Sequence, residues 1–303
     1  MIATGLPKHV LSIGEAMVEL APMAEAGQFS MGFAGDSFNT AWYLRRSLPA
    51  DWTVDYLTAV GQDGVSGRLL DFLKASGVGT GAIAQLPDRT VGLYMIELQD
   101  GERSFSYWRG QSAARLMAAD PGHLAQAMAG AGVIYLSGIT IAVLENPGRA
   151  NLYAALDTAR AAGALVAFDP NLRPRLWPDA ETMRTEIMTT ATRADIILPS
   201  HEDEATHFGD TDPAATAARY AQAGAAMVVV KNGGGEMLSL AEGQGAIHAP
   251  EIVTNVVDST AAGDSFNAAF LATWLTGADL KSAIRAGAKQ AAHVIGRRGA
   301  LCP

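Results

Sequence analysis

Four short, uninterrupted apolar runs constrain this chain more than any other feature: Val133 to Leu136, Leu165 to Phe168, Ile196 to Leu198 and Met227 to Val230. None alternates with polar residues, so each reads as a strand buried on both faces. Between them lie alanine-rich amphipathic stretches, such as Arg149 to Ala162 and Ala214 to Ala223, with the period of helices. Val54 to Val60 followed by Gly64 to Ser76 repeats the scheme. The expected fold is α/β: a doubly wound, mostly parallel sheet with helices on both faces. With 303 residues, 49% hydrophobic and 17% charged, the chain can bury a full core.

Two stretches break the rhythm. Residues 90–98 and 102–108 flank Asp100-Gly101, a strong hairpin turn signal. Glu15 to Leu20 and Gln28 to Phe33 also read as strands without a crossover helix. Together they predict a small antiparallel β-lid, about residues 15–34 and 88–110, on one domain spanning 1–303. Exposed lid edges would allow pairing between subunits, so a homo-oligomer is expected.

A formal net charge of −9 argues against nucleic acid or an anionic membrane as partner. Any positive charge that serves an anionic ligand must then be placed locally. A single cysteine, Cys302, excludes an internal disulfide framework. No basic stretch leads into an apolar signal-like segment, and no apolar run reaches the roughly 20 residues of a membrane span. A cytoplasmic protein is expected.

The segment Asp258-Ser-Thr-Ala-Ala-Gly-Asp-Ser-Phe-Asn267 carries the most chemistry. Small residues Ala261, Ala262 and Gly263 let backbone N–H groups crowd at the start of a helix, where the helix dipole favours phosphate oxygens. Asp264, in the first turn, can take a proton from an incoming hydroxyl. An isolated Gly-Asp would be better explained by a helix N-cap, and it is the full run of residues that outweighs that reading.

This run resembles the C-terminal signature D-T-x-A-G-D-x-F of the ribokinase-like (PfkB) carbohydrate kinases. Gly14-Glu15, Gly32-Phe-Ala-Gly-Asp36 and Asn39-Thr-Ala41 resemble that family's N-terminal sugar-binding segment, with Ala34 in place of a glycine. The resemblance implies a ribokinase-like fold, ATP along the C-terminal edge of the sheet, and a β-lid closing over a sugar. It places Asn171, Lys231, Asn232, Gly233, Gly235 and Glu236 with the nucleotide. It sets Ser200-His-Glu-Asp-Glu204 where the family carries N-x-x-E, a motif tied to Mg²⁺; Glu204 is the expected residue and Asp203 the next. A monovalent cation such as K⁺ is a family habit near the match to Asp258–Thr260.

Local chemistry points to the acceptor. Alternation puts Tyr107 and Arg109 on one face of the second lid strand, and Arg173 follows the strand Leu165 to Phe168. A guanidinium aimed at a sugar suits a carboxylate better than a neutral polyol, although a surface ion pair is the plain alternative for each arginine. Arg173 could serve either the acid or the phosphates. The segments 14–20, 91–97, 101–109, 135–139 and 171–177 are similar to those of the 2-keto-3-deoxygluconate kinases. That similarity implies an acceptor pocket of Gly35, Asp36, Asn39, Tyr94, Tyr107, Arg109 and Arg173. The implied reaction is ATP-dependent phosphorylation of the 6-hydroxyl. Fructose, ribose or 2-keto-3-deoxygalactonate as acceptor, and a non-catalytic sugar sensor, stand as alternatives.

Other signals fall away. Gly77 to Ala82 fits G-x-G-x-x-A but follows a helix, and no G-x-x-x-x-G-K-[ST] occurs. His201 and His207 lack zinc-site spacing.

Overall fold

A computed structural model of the chain describes residues 5–25, 27–99 and 102–302. The chain runs through β1 (His9–Ile13), β2 (Met17–Pro22), β3 (Phe29–Ala34), α1 (Asp36–Ser47), β4 (Thr53–Gly61), α2 (Gly64–Ala75) and β5 (Ile83–Leu86). It continues through β6 (Leu93–Gln99), β7 (Glu102–Trp108), α3 (Pro121–Met128), β8 (Val133–Ser137), α4 (Gly138–Val143), α5 (Gly148–Ala161) and β9 (Leu165–Asp169). After α6 (Ala180–Ala191), β10 (Ile196–Ile197), α7 (His201–Phe208) and α8 (Pro213–Gln222) come β11 (Met227–Val230), β12 (Met237–Ala241) and β13 (Gln244–His248). Helices α9 (Ala262–Leu275) and α10 (Leu280–Ile295) close the chain.

The large sheet has nine strands in the order β13-β12-β11-β10-β9-β8-β1-β4-β5, antiparallel only where β12 and β13 fold back at one edge. Its alternating side chains divide between two cores. Val10, Val133 and Tyr135 point into one, with Phe266, Phe270 and Trp274 of α9. Leu11, Ile134 and Leu136 point into the other, with Leu152 and Leu156 of α5 and Ile187 of α6. The apolar runs are continuous because both faces are dry. Burying each such side chain contributes roughly 1.5–3 kcal/mol.

The small sheet has the order β3-β2-β6-β7. It corrects one expectation, because β2 pairs with β6 in parallel, and only the β2–β3 and β6–β7 pairs are antiparallel. The Asp100-Gly101 turn lies outside the described residues. Ala34 ends β3 in strand conformation and needs no positive φ.

Helix starts differ in a way that matters for the site. Helices α2, α3, α6, α8 and α10 each begin on an Asp whose side chain accepts from the first turn. Helices α1, α7 and α9 begin on Gly35, Ser200 and Ala261 with no side-chain cap, although the leading amides of α7 and α9, those of His201 and Ala262, donate to the Lys231 and Ser259 carbonyls. Among the described residues no helix is long and apolar enough to cross a membrane.

Candidate active site

The uncapped ends of α1 and α9 meet at Asp264. Its Oδ2 accepts from Asn39 Nδ2 at 2.8 Å, while Asn39 Oδ1 accepts from the Gly35 amide at 3.3 Å. Asn39 therefore fixes the carboxylate of one helix against the first turn of the other. Asp264 is almost fully buried. Burial first, then the charges of Asp36 and Asp169, push its carboxyl up to about 8, against the opposing pull of Asn39 and Lys231. A buried base so raised is matched to taking a proton near neutral pH.

A polar network holds this arrangement from below. Asp169, at the C-terminal end of β9, accepts from Lys231 Nζ at 2.8 Å and from Asn267 Nδ2 at 2.6 Å. Lys231 also donates to Asn267 Oδ1 at 3.1 Å, and Asn267 donates to the Tyr135 hydroxyl at 3.0 Å. Thr40 Oγ1 reaches both Tyr135 and the Asp264 carbonyl. Lys231 sits at the end of β11, and a Cβ on Gly263 would lie 3.5 Å from its Nζ. An ammonium thus stands beside the start of α9, where an anion would gather.

The backbone there is partly as expected. Ala261 adopts φ 60, a left-handed conformation that costs a residue with a Cβ roughly 1–2 kcal/mol. The Ala262 amide does not join an anion hole, because it donates back to the Ser259 carbonyl at 3.2 Å. The amides of Gly263 and Asp264 have no protein acceptor among the described residues. Asp258 shapes the loop, accepting from Thr260 and from the Gly299 amide.

The small sheet supplies the opposite wall. Tyr94, Ile96 and Met17 pack with Ala34, Ala261 and Ala300, which seats this sheet over the start of α9. Tyr107 lies beside Tyr94, ring centroids 5.8 Å apart, and is half exposed. The Tyr94 hydroxyl donates to Glu19. Arg109 lies 6.0 Å from the Tyr107 ring and forms an ion pair with buried Glu15. Asp36 accepts from Asn171 Nδ2 at 2.9 Å. Asn171, expected beside the nucleotide, is thereby turned toward Asp36; its own amide donates to Asp169 Oδ1 at 3.1 Å in a tight turn.

Arg173 is half exposed, 3.6 Å from Asp203. Asn232, Gly233, Gly235 and Glu236 form the turn between β11 and β12, with Asn232 Nδ2 donating to the Glu236 carbonyl at 3.1 Å. Glu204 requires a correction. It is fully buried away from the site, where its oxygens accept from Tyr220 at 2.9 Å and Arg219 at 2.7 Å. Both oxygens are consumed, so it is not the metal-related residue. Asp203 faces the site, and N-x-x-E counted from Ser200 ends on Asp203. Burial raises the Asp203 carboxyl above its ordinary value while Arg173 opposes it.

Three further residues join the site without having been expected there, Asp169, Asn267 and Tyr135, and Glu15 of the sugar-binding segment enters it as the counter-ion of Arg109. Asp169 is signalled by its place at the C-terminal end of a parallel strand. Asn267 is signalled by its three-residue spacing from Asp264 on one helix.

A family model described as pfkB family carbohydrate kinase matches residues 7–302. The chain belongs to the pfkB family of carbohydrate kinases. This pfkB-family kinase is 36% identical to the 2-dehydro-3-deoxygluconokinase of Escherichia coli K12, over 98% of both chains. It is 37% identical to the enzyme of that name from Dickeya dadantii, over 98% of this chain and 97% of the other. Among solved structures, fructokinase with bound ATP from Xylella fastidiosa superposes with a TM-score of 0.85 at 26% identity, covering 97% of this kinase and 94% of that chain.

Proposed function

We propose that this kinase transfers the γ-phosphoryl group of ATP to the 6-hydroxyl of 2-keto-3-deoxygluconate, giving 2-keto-3-deoxy-6-phosphogluconate. The observation that carries the proposal is the buried Asp264 carboxylate, held by Asn39 beside two amides that have no protein acceptor among the described residues. The names of the relatives at 36–37% identity support the acceptor, and the ATP of the Xylella structure supports the donor.

Asp264 accepts the hydroxyl proton as the acceptor oxygen attacks the γ-phosphorus and the bond to the β-phosphate oxygen breaks. The Gly263 and Asp264 amides, with Lys231 beside them, hold the charge that spreads over the transferring group. Arg109, Tyr94, Tyr107, Asp36 and Arg173 orient the acid sugar under the small sheet, which acts as a lid. Asn232 to Glu236 border the nucleotide. No cluster of three acidic, histidine or cysteine ligands occurs among the described residues, which fits a magnesium ion carried on phosphate oxygens and water with Asp203 at hand. Bound there, it would neutralise phosphate charge. A monovalent cation near Asp258–Thr260 belongs to the same proposal, and turnover in KCl against NaCl tests it. An enzyme that draws on ATP in this way works in the cytoplasm. Two copies associate through the lid, and nucleic acid and membranes are not partners.

The deciding experiment is a coupled ADP-release assay on 2-keto-3-deoxygluconate, 2-keto-3-deoxygalactonate, fructose and ribose, with Asp264→Asn as control. Turnover of the gluconate acid above the others, lost in the variant, supports the proposal. A second acceptor class, neutral sugars, is favoured by one observation: the charge of Arg109 is already balanced by Glu15. Preference for fructose or ribose would select it, and no turnover on any sugar would select a sensor.

A further inference from the structure

The Glu15–Arg109 pair stands where the chain crosses between the two sheets. The chain enters the small sheet through Glu15 and Ala16, leaves it at Gly35, re-enters at Gly92 and leaves again at Arg109. The pair touches every crossing. A Cβ on Gly92 would lie 2.8 Å from Glu15 Oε1 and 3.3 Å from Arg109 Cβ, and one on Gly35 would run into the Glu15 carbonyl. Both glycines are needed for this close approach.

Such a pair is not explained by stability alone. Removing two charges from water costs several kcal/mol per ion, and apolar residues of the same volume commonly stabilise as much. Its geometry suggests another role. Arg109 follows Trp108, which is 59% exposed, yet its own side chain is only 11% exposed, so Glu15 draws it inward. Arg109 Nη2 faces Glu15 Oε2 as an ion pair, and Nε, Nη2 and both Glu15 oxygens are buried without a hydrogen-bond partner among the described residues. Nη1 is the one guanidinium nitrogen of Arg109 that is not among these buried atoms. Gly35, packed against the Glu15 carbonyl, is followed directly by Asp36 at the start of α1.

We propose that Glu15 is a positioning residue for acceptor recognition: it anchors Arg109 across the lid crossings so that Nη1 grips the carboxylate of the acid sugar. The proposal rests on the acid-sugar function above. Because Glu15 balances the charge, recognition depends on a fixed, planar donor more than on diffuse attraction. Glu15 and Arg109 then discriminate as one unit.

The test is a double-mutant cycle of Glu15→Gln, Arg109→Ala and the double variant, with acceptor and ATP varied separately and thermal melts run on each. Glu15→Gln should raise the KM for 2-keto-3-deoxygluconate about ten-fold or more and leave the KM for ATP within about two-fold. The double variant should bind the acceptor no worse than Arg109→Ala alone. An unchanged acceptor KM in folded Glu15→Gln, or two effects that simply add, overturns the proposal. If Glu15→Gln does not fold, Glu15→Asp goes through the same cycle. A wild-type enzyme that ignores the acid but phosphorylates fructose sinks the function, and with it the carboxylate that Nη1 is to grip, an outcome distinct from an unchanged KM in Glu15→Gln.

Discussion

Asp264 is held in two conflicting ways: a base must be charged to accept a proton, and burial beside Asp36 and Asp169 disfavours that charge. The conflict has a sign that can be measured. The folded carboxyl is raised above its unfolded value, so its contribution to stability is fully present below the ordinary carboxylate range. That contribution is lost as pH climbs through about 8. Asp264→Asn is neutral at every pH and escapes the loss. Its melting temperature should exceed the wild type's by at least about 3 °C at pH 9, with the gap closing toward pH 4. Its kcat should fall by about 10²–10⁴, the usual share of a general base. In the wild type kcat/KM should rise with pH toward 8, and a profile flat from pH 6 to 9 would remove Asp264 as the titrating base. Ala261 carries strain of another kind, since φ 60 suits glycine. Relief outweighs the added freedom of the unfolded chain, so Ala261→Gly should stabilise by up to about 1 kcal/mol in a denaturant titration.

Helix α7 shows how one turn can serve two masters. Asp203 and Glu204 are adjacent, so they point about 100° apart around the axis. Asp203 is directed toward Arg173 and the site, whereas Glu204 locks α7 to α8 through Arg219 and Tyr220. Burial pushes the Glu204 carboxyl up to about 7 even beside Arg219. Glu204→Ala should therefore cost about 2–4 kcal/mol of stability while leaving the KM for MgATP unchanged. Asp203→Asn should do the reverse, raising that KM with little change in melting temperature. A composition of carboxylates in sequence could not separate them, because only packing decides which face is dry. The same limit appears elsewhere. Strands β4, β8, β9, β10 and β11 were legible because they run apolar into a core on both faces, whereas the more exposed β5 and β13 were not, and Asp264 was legible because a motif surrounds it. The parallel pairing of β2 with β6 was not, since distant segments choose their register in three dimensions. Arg109 was legible as a recognition residue, but its partner Glu15 was not, as a buried counter-ion leaves no periodic trace.

At the scale of the molecule, the lid presents two unlike faces. Pairing registers put Phe29, Met31 and Trp108 on the outer face, and Tyr94, Phe105 and Tyr107 on the inner. The inner face is turned toward Ala261 and the site. The outer face is buried against the large core at Val18 and Phe33 and open beyond them: Phe29, Met31 and Trp108 are each more than two-fifths exposed, beside edge strands β3 and β7 whose outer backbone groups pair with nothing in the sheet. An apolar face framed by free strand edges suits a second copy of the same lid. Each copy carries a formal charge of −9, so long-range repulsion opposes what apolar burial favours. Salt should then tighten the dimer, since screening shortens the repulsion to about 3 Å near 1 M while leaving apolar burial intact. Light scattering across a salt series checks this. Trp108→Glu should give monomers that keep their fold, and a wild type monomeric at high salt would exclude the lid interface. Tyr107 and Arg109 flank Trp108 in sequence, so a lid freed on its outer face also loses rigidity on its inner one. The monomeric variant should therefore bind the acceptor more weakly and ATP as before, with kcat at saturation little changed, because Asp264 stands on the core and not on the lid.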